Sequence, residues 1–470
     1  MPETRPSFLP KSALVRSILV LAGKGHNAAD AMLAAGFLRE KSAASVTVLL
    51  AVAEEKLAPA TARALQELLR QGARLLRWRD AAAAEAALPD TFDLALDGLL
   101  GHQFSPPLRP PFSDFLRWAN ARPLAKIRLA VDLPSGLGDT SQPDDLIFAA
   151  DATVACGLAK APLFSSAGEK HRGRLRLACI GFPHTLPGEI RAGGKGLFSL
   201  GPLRRLRPPR ADKRDFGHLF ILGGSRTMPG ALLMNVQAAL QSGAGLVTVF
   251  CPESVHAAFA AAAPEAMWIP WPETPDGALA LEGEHLLREK ISRATALLCG
   301  SGMGAEPESQ ALLQSVAGRC PVPLVLDADA LRPEIVSTAA QRKFPRPTVL
   351  LPHAGELARL APESESLRAT AARLRACLAR KGAPTTVADA QREITVCTGG
   401  PILARGGSGD LLAGITGALF ARQISSDPLQ TLATAVAWHG TAADLAARHH
   451  GAEALATTAL LPFLSAALRA

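Results

Sequence analysis

The chain contains no tyrosine, and aromatic residues make up only 5% of it. Recognition of nucleic acid wants basic clusters interleaved with aromatic rings. The one basic cluster, "LRRLRPPRADKR" at residues 203–214, has none, and the rest of the +8 net charge is scattered among acidic residues. Nucleic acid is therefore not an expected partner. Cysteine is also scarce: Cys156, Cys179, Cys251, Cys299, Cys320, Cys377 and Cys397 are odd in number, far apart and form no C-x-x-C pair. This excludes a disulfide framework and a zinc site, and it points to buried thiols in a reducing compartment. There is no run of 18 apolar residues, so no membrane partner is expected. The start "MPETRPSFLPKSALVR" lacks an apolar stretch beside a cleavage site, which gives a cytoplasmic expectation.

Apolar residues, at 48%, are plentiful, and 470 residues are enough for two or three domains at roughly 150 residues each. Strand-like runs alternate with helical stretches: "SILVLAG" (17–23), "SVTVLLAV" (45–52), "FDLALDGLL" (92–100) and "IRLAVDLPSG" (127–136), then "HLFILGG" (218–224), "GLVTVFC" (245–251), "ALLCGSG" (296–302), "PLVLDADAL" (323–331), "PTVLLPHAGE" (347–356) and "PTTVAD" (384–389). Near-continuous aliphatic runs of this kind indicate parallel sheets covered on both faces. The expected fold class is α/β. With no short-period repeat, the halves read as two different domains, residues 1–195 and 215–470, joined by a Pro-, Gly- and Arg-rich linker at 196–214.

The stretch "LARGGSGDLLAGITGALFARQ" (403–423) sets Gly406, Gly407 and Gly409 around Ser408, and Asp410 opens a helical spacing. Glycines let an anion approach the free N–H groups of a helix start. The alternative is that Ser408 or Asp410 caps the helix. Elsewhere glycines and aspartates fall where strands end, which is where open α/β sheets bind ligands.

In the second half, "GHLFILGGSRTMPGALLMNVQAALQSGAGLVTVF", "CGSGMGAEP", "LDADAL", "LPHAGELARL", "RKGAPTTV" and "ARGGSGDLLAGITGAL" follow one another in an order that resembles the ADP/ATP-dependent NAD(P)H-hydrate dehydratases. The resemblance implies a ribokinase-like three-layer fold, with ADP or ATP as co-substrate and magnesium as cofactor. Asp410 would be the catalytic base. Lys381, Gly382, Ala383, Thr385, Gly407, Ser408 and Gly409 would bind the nucleotide, and Ala231, Gly304, His353 and Asp410 would face the hydrate. Asp327 and Asp329 would position magnesium through water or cap the next helix. The family usually has Asn where this chain has Gly400.

In the first half, "AGKGHNAADAMLAAGFL" (22–38), "DLALDGLLG" (93–101), "AVDLPSGL" (130–137) and "ADATVACGLAKAPLF" (150–164) resemble the NAD(P)H-hydrate epimerases, which have a Rossmann-like three-layer fold. The resemblance implies potassium on Asn27, Asp97 and Ser135, oxygen donors suited to a hard cation. His26, Asn27, Asp30, Gly101 and Asp132 would bind the hydrate, and the chain would be a homo-oligomer. Two departures stand out. The family's usual G-N-N-G-G-D-G reads Gly25-His26-Asn27-Ala28-Ala29-Asp30-Ala31, and the first strand begins at residue 17, where the family has helices ahead of it. Alanine resists positive backbone angles and close approach of a ligand, so slow conversion of the R hydrate is expected.

Together the halves lead to a bifunctional repair activity on NAD(P)H hydrates. The rival expectation is a ribokinase-group small-molecule kinase carrying an inactive N-terminal binding or scaffold domain.

Overall fold

The computed structural model describes residues 15–178 and 208–469 apart from Gln103, Ser105 and Pro106, together with Ile180, Leu200 and Leu203. The chain divides into two compact units, Met1–Leu186 and Pro187–Ala470. Most of the expected linker at 196–214 lies outside the described residues, as does Cys179.

The first unit is one parallel sheet of seven strands in the order β3-β2-β1-β4-β5-β6-β7. These are β1 (Ser17–Ala22), β2 (Ser45–Leu50), β3 (Arg74–Arg77), β4 (Phe92–Gly98), β5 (Ala125–Val131), β6 (Ala152–Cys156) and β7 (Arg174–Ala178). Alternate residues of one strand feed two cores. Ile18, Val20 and Ala22 pack with the helix α1 (His26–Ser42), while Leu19 and Leu21 pack with Phe115 and Trp118 on the other face. The chain reverses direction across the sheet between β1 and β4, and the Rossmann-like order puts a crevice at the carboxyl ends of these two strands.

The second unit is a nine-stranded sheet in the order β10-β9-β8-β11-β12-β13-β14-β15-β16. Its strands are β8 (His218–Leu222), β9 (Leu246–Pro252), β10 (Met267–Trp271), β11 (Ala296–Cys299), β12 (Leu324–Leu326), β13 (Thr348–Leu350), β14 (Cys377–Arg380), β15 (Thr385–Ala388) and β16 (Glu393–Val396). Eight strands run in one direction, but β15 runs against them, so its pairings with β14 and β16 are antiparallel. The expectation of a purely parallel sheet fails here because only four residues separate β14 from β15, a hairpin's length and too short for a parallel crossover. One face is covered by the helices Pro229–Gln241, Ser408–Ala421 and Pro428–His450, the other by Pro307–Arg319 and Pro333–Ala340. Among the described residues no helix is long and apolar enough to cross a membrane. Cys251, Cys299, Cys320 and Cys377 are buried free thiols.

Candidate functional sites

In the second unit the switch in strand order lies between β8 and β11, and the loops after both strands are glycines. Gly224 donates to Ser301 O at 2.9 Å, which ties the two loops together. Gly302 takes φ +70°, and a Cβ there would stand 2.5 Å from Met228 O and 3.2 Å from the Cβ of Ala231. A side chain would wedge this corner apart.

The turn at 406–410 enters this corner. Its helix runs Ser408–Ala421, with Gly407 as N-cap at φ +85°. Gly407 has no side chain, and a Cβ there would stand 2.4 Å from Met234 Sδ. Neither Ser408 nor Asp410 bonds the first-turn N–H groups among the described residues, so the capping alternative loses its support. The free N–H groups of a helix start remain available to an anion.

Asp410 sits half-buried beside this turn. Burial raises its pKa, the charge of Asp327 raises it further, and the nearby polar side chains of Ser301 and Asn235 and the charge of Lys381 pull it back. Asn235 is wholly buried. Its Nδ2 donates to Ala231 O at 2.9 Å and its Oδ1 pairs with Ser301 Oγ at 3.2 Å. Lys381 donates to Asp327 Oδ1 at 2.8 Å and lies 3.8 Å from Glu356 Oε2. A Cβ on Gly409 would be 3.3 Å from Lys381 Nζ and 4.0 Å from Asp327 Oδ2. Carboxylates, an ammonium and a bare glycine therefore converge on one small space.

The other expected residues ring it. Gly304, at φ +76°, donates its N–H to Asp329 Oδ2 at 2.7 Å. His353 bridges to Lys381 in register and caps the helix Ala354–Leu360, with Nδ1 accepting from Gly355 and Glu356 at 3.0 and 3.3 Å. It is thus a satisfied cap whose ring is 59% exposed. Gly382 and Ala383 are exposed in the β14–β15 hairpin, and Thr385 donates to Gly382 O at 2.9 Å. Neither Asp327 nor Asp329 caps a helix through its side chain. Asn235, Ser301 and Glu356 were not singled out from sequence, although all three lie inside the motifs quoted for the resemblance. Their work depends on neighbours far along the chain.

The first unit gathers its own set. Asp97, fully buried, accepts from Ser135 N at 2.7 Å, Ser135 Oγ at 2.6 Å and Leu99 N at 3.2 Å. Burial still pushes its pKa up to about 6. Asn27 donates to Leu100 O at 2.7 Å, and its buried Oδ1 has no partner among the described residues. Leu100 N donates to Ser135 Oγ at 2.8 Å, so Asn27, Asp97 and Ser135 meet around this one residue. An orphaned carbonyl oxygen beside a buried carboxylate and a hydroxyl fits a hard monovalent cation. Groups of three or more His, Cys, Asp or Glu able to hold a metal are absent among the described residues, as an Asn, Asp and Ser set requires. Gly101 adjoins it: a Cβ there would be 3.3 Å from the Cβ of Asn27.

Asp132, Asp30 and His26 form the rim. Asp132 holds φ +66°, an uncommon angle for a non-glycine residue, and it accepts from Cys156 N at 3.0 Å and from Lys160 Nζ. Burial and the nearby charge of Asp132 raise the pKa of Asp30. His26 is exposed at the start of α1. Lys160 was not picked from sequence, though "GLAKAPLF" contains it.

Comparison with known proteins finds relatives of both units. A model of the NAD(P)H-hydrate dehydratase family matches residues 219–464, and one of the YjeF-related protein N-terminus matches residues 7–161. The bifunctional NAD(P)H-hydrate repair enzyme Nnr of Moorella thermoacetica is 32% identical over 97% of this chain and 88% of its own length. The Nnr of Gloeobacter violaceus is 35% identical over 95% and 88%. An ADP/ATP-dependent NAD(P)H-hydrate dehydratase from Bacillus subtilis, crystallised with ATP and Mg2+, is 25% identical at a TM-score of 0.49, covering 58% of this chain and 97% of that one. Two site-bearing units in this order, matched along almost the whole chain, mean that the protein belongs to the family of bifunctional NAD(P)H-hydrate repair enzymes.

Proposed function

We propose that the second unit dehydrates the S hydrate of NADH or NADPH using the terminal phosphate of ADP or ATP, and that Asp410 is its base. The observation that carries this is Asp410 itself, half-buried at a bare glycine turn that Lys381 Nζ approaches, with Ser301, Asn235 and Lys381 favouring its charged form. The ring hydroxyl at carbon six gives its proton to Asp410 as its oxygen attacks the terminal phosphorus, and the nucleotide leaves one phosphate shorter. Phosphate then departs from carbon six, carbon five loses a proton, and the double bond of the reduced nicotinamide is restored. Gly409 lets the phosphoryl group approach the helix start, where N–H groups meet its developing charge. Magnesium would arrive with the nucleotide's phosphates, balancing their charge, with Asp327 Oδ2 facing Gly409 as the nearest carboxylate oxygen.

The first unit would interconvert the R and S hydrates. Asn27 Oδ1, Asp97 and Ser135 would hold potassium, which fixes the substrate's negative charge, while Asp132 and Lys160 lie at the rim to move a proton. Cytoplasmic location is supported by the buried free thiols, and a homo-oligomer is proposed from the family resemblance.

One assay tests the core of the reading. Purified protein is mixed with both hydrate epimers and each nucleotide in turn, and absorbance of the reduced nicotinamide is followed. Its return with ADP or ATP is expected. A phosphorylated product without that absorbance would favour the small-molecule kinase instead.

A further inference from the structure

Next to the Asp410 cluster lies a cavity of about 480 Å³ whose wall includes Asp329, Arg332, Glu334, Glu356 and Arg359. Two of its carboxylates are already engaged. Asp329 Oδ2 accepts from the Gly304 N–H at 2.7 Å, and Glu356 Oε2 accepts from the His353 N–H at 2.8 Å while lying 3.8 Å from Lys381 Nζ. These contacts tie the cavity to the residues expected to face the hydrate. Glu334 is exposed, where water and salt screen it. The guanidinium groups are not engaged: among the described residues neither Arg332 nor Arg359 has a side-chain hydrogen bond or an ion pair. Elsewhere in the same unit Arg342, Arg373, Arg392 and Arg405 bind carbonyl or carboxylate oxygens, while Arg288 and Arg375 have no side-chain partner among the described residues either, so what sets Arg332 and Arg359 apart is that they share one cavity wall. Two unsatisfied planar forks on one concave wall are complementary to a phosphate.

We propose that Arg332 and Arg359 grip a phosphate group of the dinucleotide hydrate. The assignment rests on the dehydratase reading of Asp410, since it takes the hydrate to be the molecule that fills this cleft. A dinucleotide offers phosphate in two places. The diphosphate bridge is present in both hydrates; the 2′-phosphate belongs to NADPH hydrate alone. Arg332 is half-buried, three residues after Asp329, and Arg359 is exposed at the mouth. Together they would charge one side of the cleft without touching the reacting hydroxyl.

The test is calorimetric binding of each S hydrate to full-length Asp410→Asn protein, with and without Arg332→Gln and Arg359→Gln. Asp410→Asn turns over ~100–10,000-fold more slowly, and the hydrate is titrated without nucleotide, so binding is read apart from chemistry. Loss of a charge-assisted hydrogen bond typically weakens binding on the order of 10-fold or more. The expected result is weakening of that size in each single variant, a larger loss in the double variant, a shallower dependence on salt, and unchanged nucleotide affinity. Weakening for both hydrates assigns the diphosphate; weakening for NADPH hydrate alone assigns the 2′-phosphate. Affinity for both hydrates within twofold in the double variant overturns the proposal, and so does a loss confined to the nucleotide. Circular dichroism melts check that the variants fold, and Arg359→Gln alone, altering one exposed side chain, guards against a misfolded double variant. Failure of the wild type to restore reduced-nicotinamide absorbance is a separate result: it sinks the role of Asp410, while the binding data still decide the arginines.

Discussion

In the proposed reaction Asp410 has to be a carboxylate, in surroundings that disfavour one. Burial and Asp327 raise its pKa, so the acid limb of kcat/KM should lie above the ordinary carboxylate value of 3.8. Asp327→Asn removes a negative neighbour and frees the charge of Lys381, and both changes lower the pKa of Asp410. The limb should therefore move to lower pH, measured from about pH 4 to 8; a limb that stays put would mean another group is the base. Asp410→Asn should cut turnover ~100–10,000-fold and leave nucleotide binding intact, because the amide keeps the turn's shape but cannot take the proton. Absorbance and calorimetry read the two halves of that statement, and a mutant within threefold of wild type would sink the role. Asp410 and Gly409 were legible in the sequence because one contiguous motif carries both. Asn235 and Ser301 were not, because they meet across 66 residues of chain and only the fold brings them together.

At the scale of elements, hydrophobic runs located the strands well, since buried parallel strands leave little room for polar residues. The antiparallel edge and the state of the alanines were not legible. Ala28, Ala29 and Ala31 were expected to strain a loop, but α1 begins at His26 and takes all three into its buried face, each at 5% exposure or less and none at a positive φ. Gly98 yields the space: a Cβ there would stand 2.6 Å from the Cβ of Ala31. Alanine at these positions thus packs in the core beside the sheet. The helix Pro428–His450 carries another hidden feature, His439, whose buried Nε2 has no partner among the described residues and whose pKa burial pushes down to about 4. The unfolded chain takes up that proton near the ordinary histidine value of 6.5, the folded chain only near 4. Its contribution is fully present above 6.5 and lost as pH falls, by about 1.4 kcal/mol per unit inside the window. Denaturant midpoints between pH 4.5 and 7 should show this slope, and His439→Leu should flatten it; an equal slope in the variant would place the loss elsewhere.

For the whole molecule, the division into two halves was readable because strand runs cluster on either side of a Pro- and Arg-rich stretch. The unit boundary at 186/187 lies outside the described residues. Each unit has its own sheet, cores and site, so the two activities should separate by mutation. Asp97→Ala should slow conversion of the R hydrate to its spontaneous rate and spare dehydration of the S hydrate. Supplying each epimer alone, with and without potassium, reads both outcomes. Equal loss of both activities would mean that Asp97 holds up more than its own unit.

The helix Ser408–Ala421 lies against Pro229–Gln241 so closely that a Cβ on Gly414 would stand 2.2 Å from Asn235 O. The backbone of Asn235 is pressed by one residue while its side chain bonds Ala231 and Ser301. Drift in the sequence is therefore curtailed at a position that touches no ligand. In a randomised library selected for repair of the S hydrate, codon 414 should return glycine about as strictly as codon 410 returns aspartate. Frequent alanine at 414 would show that the two helices can part without disturbing the site.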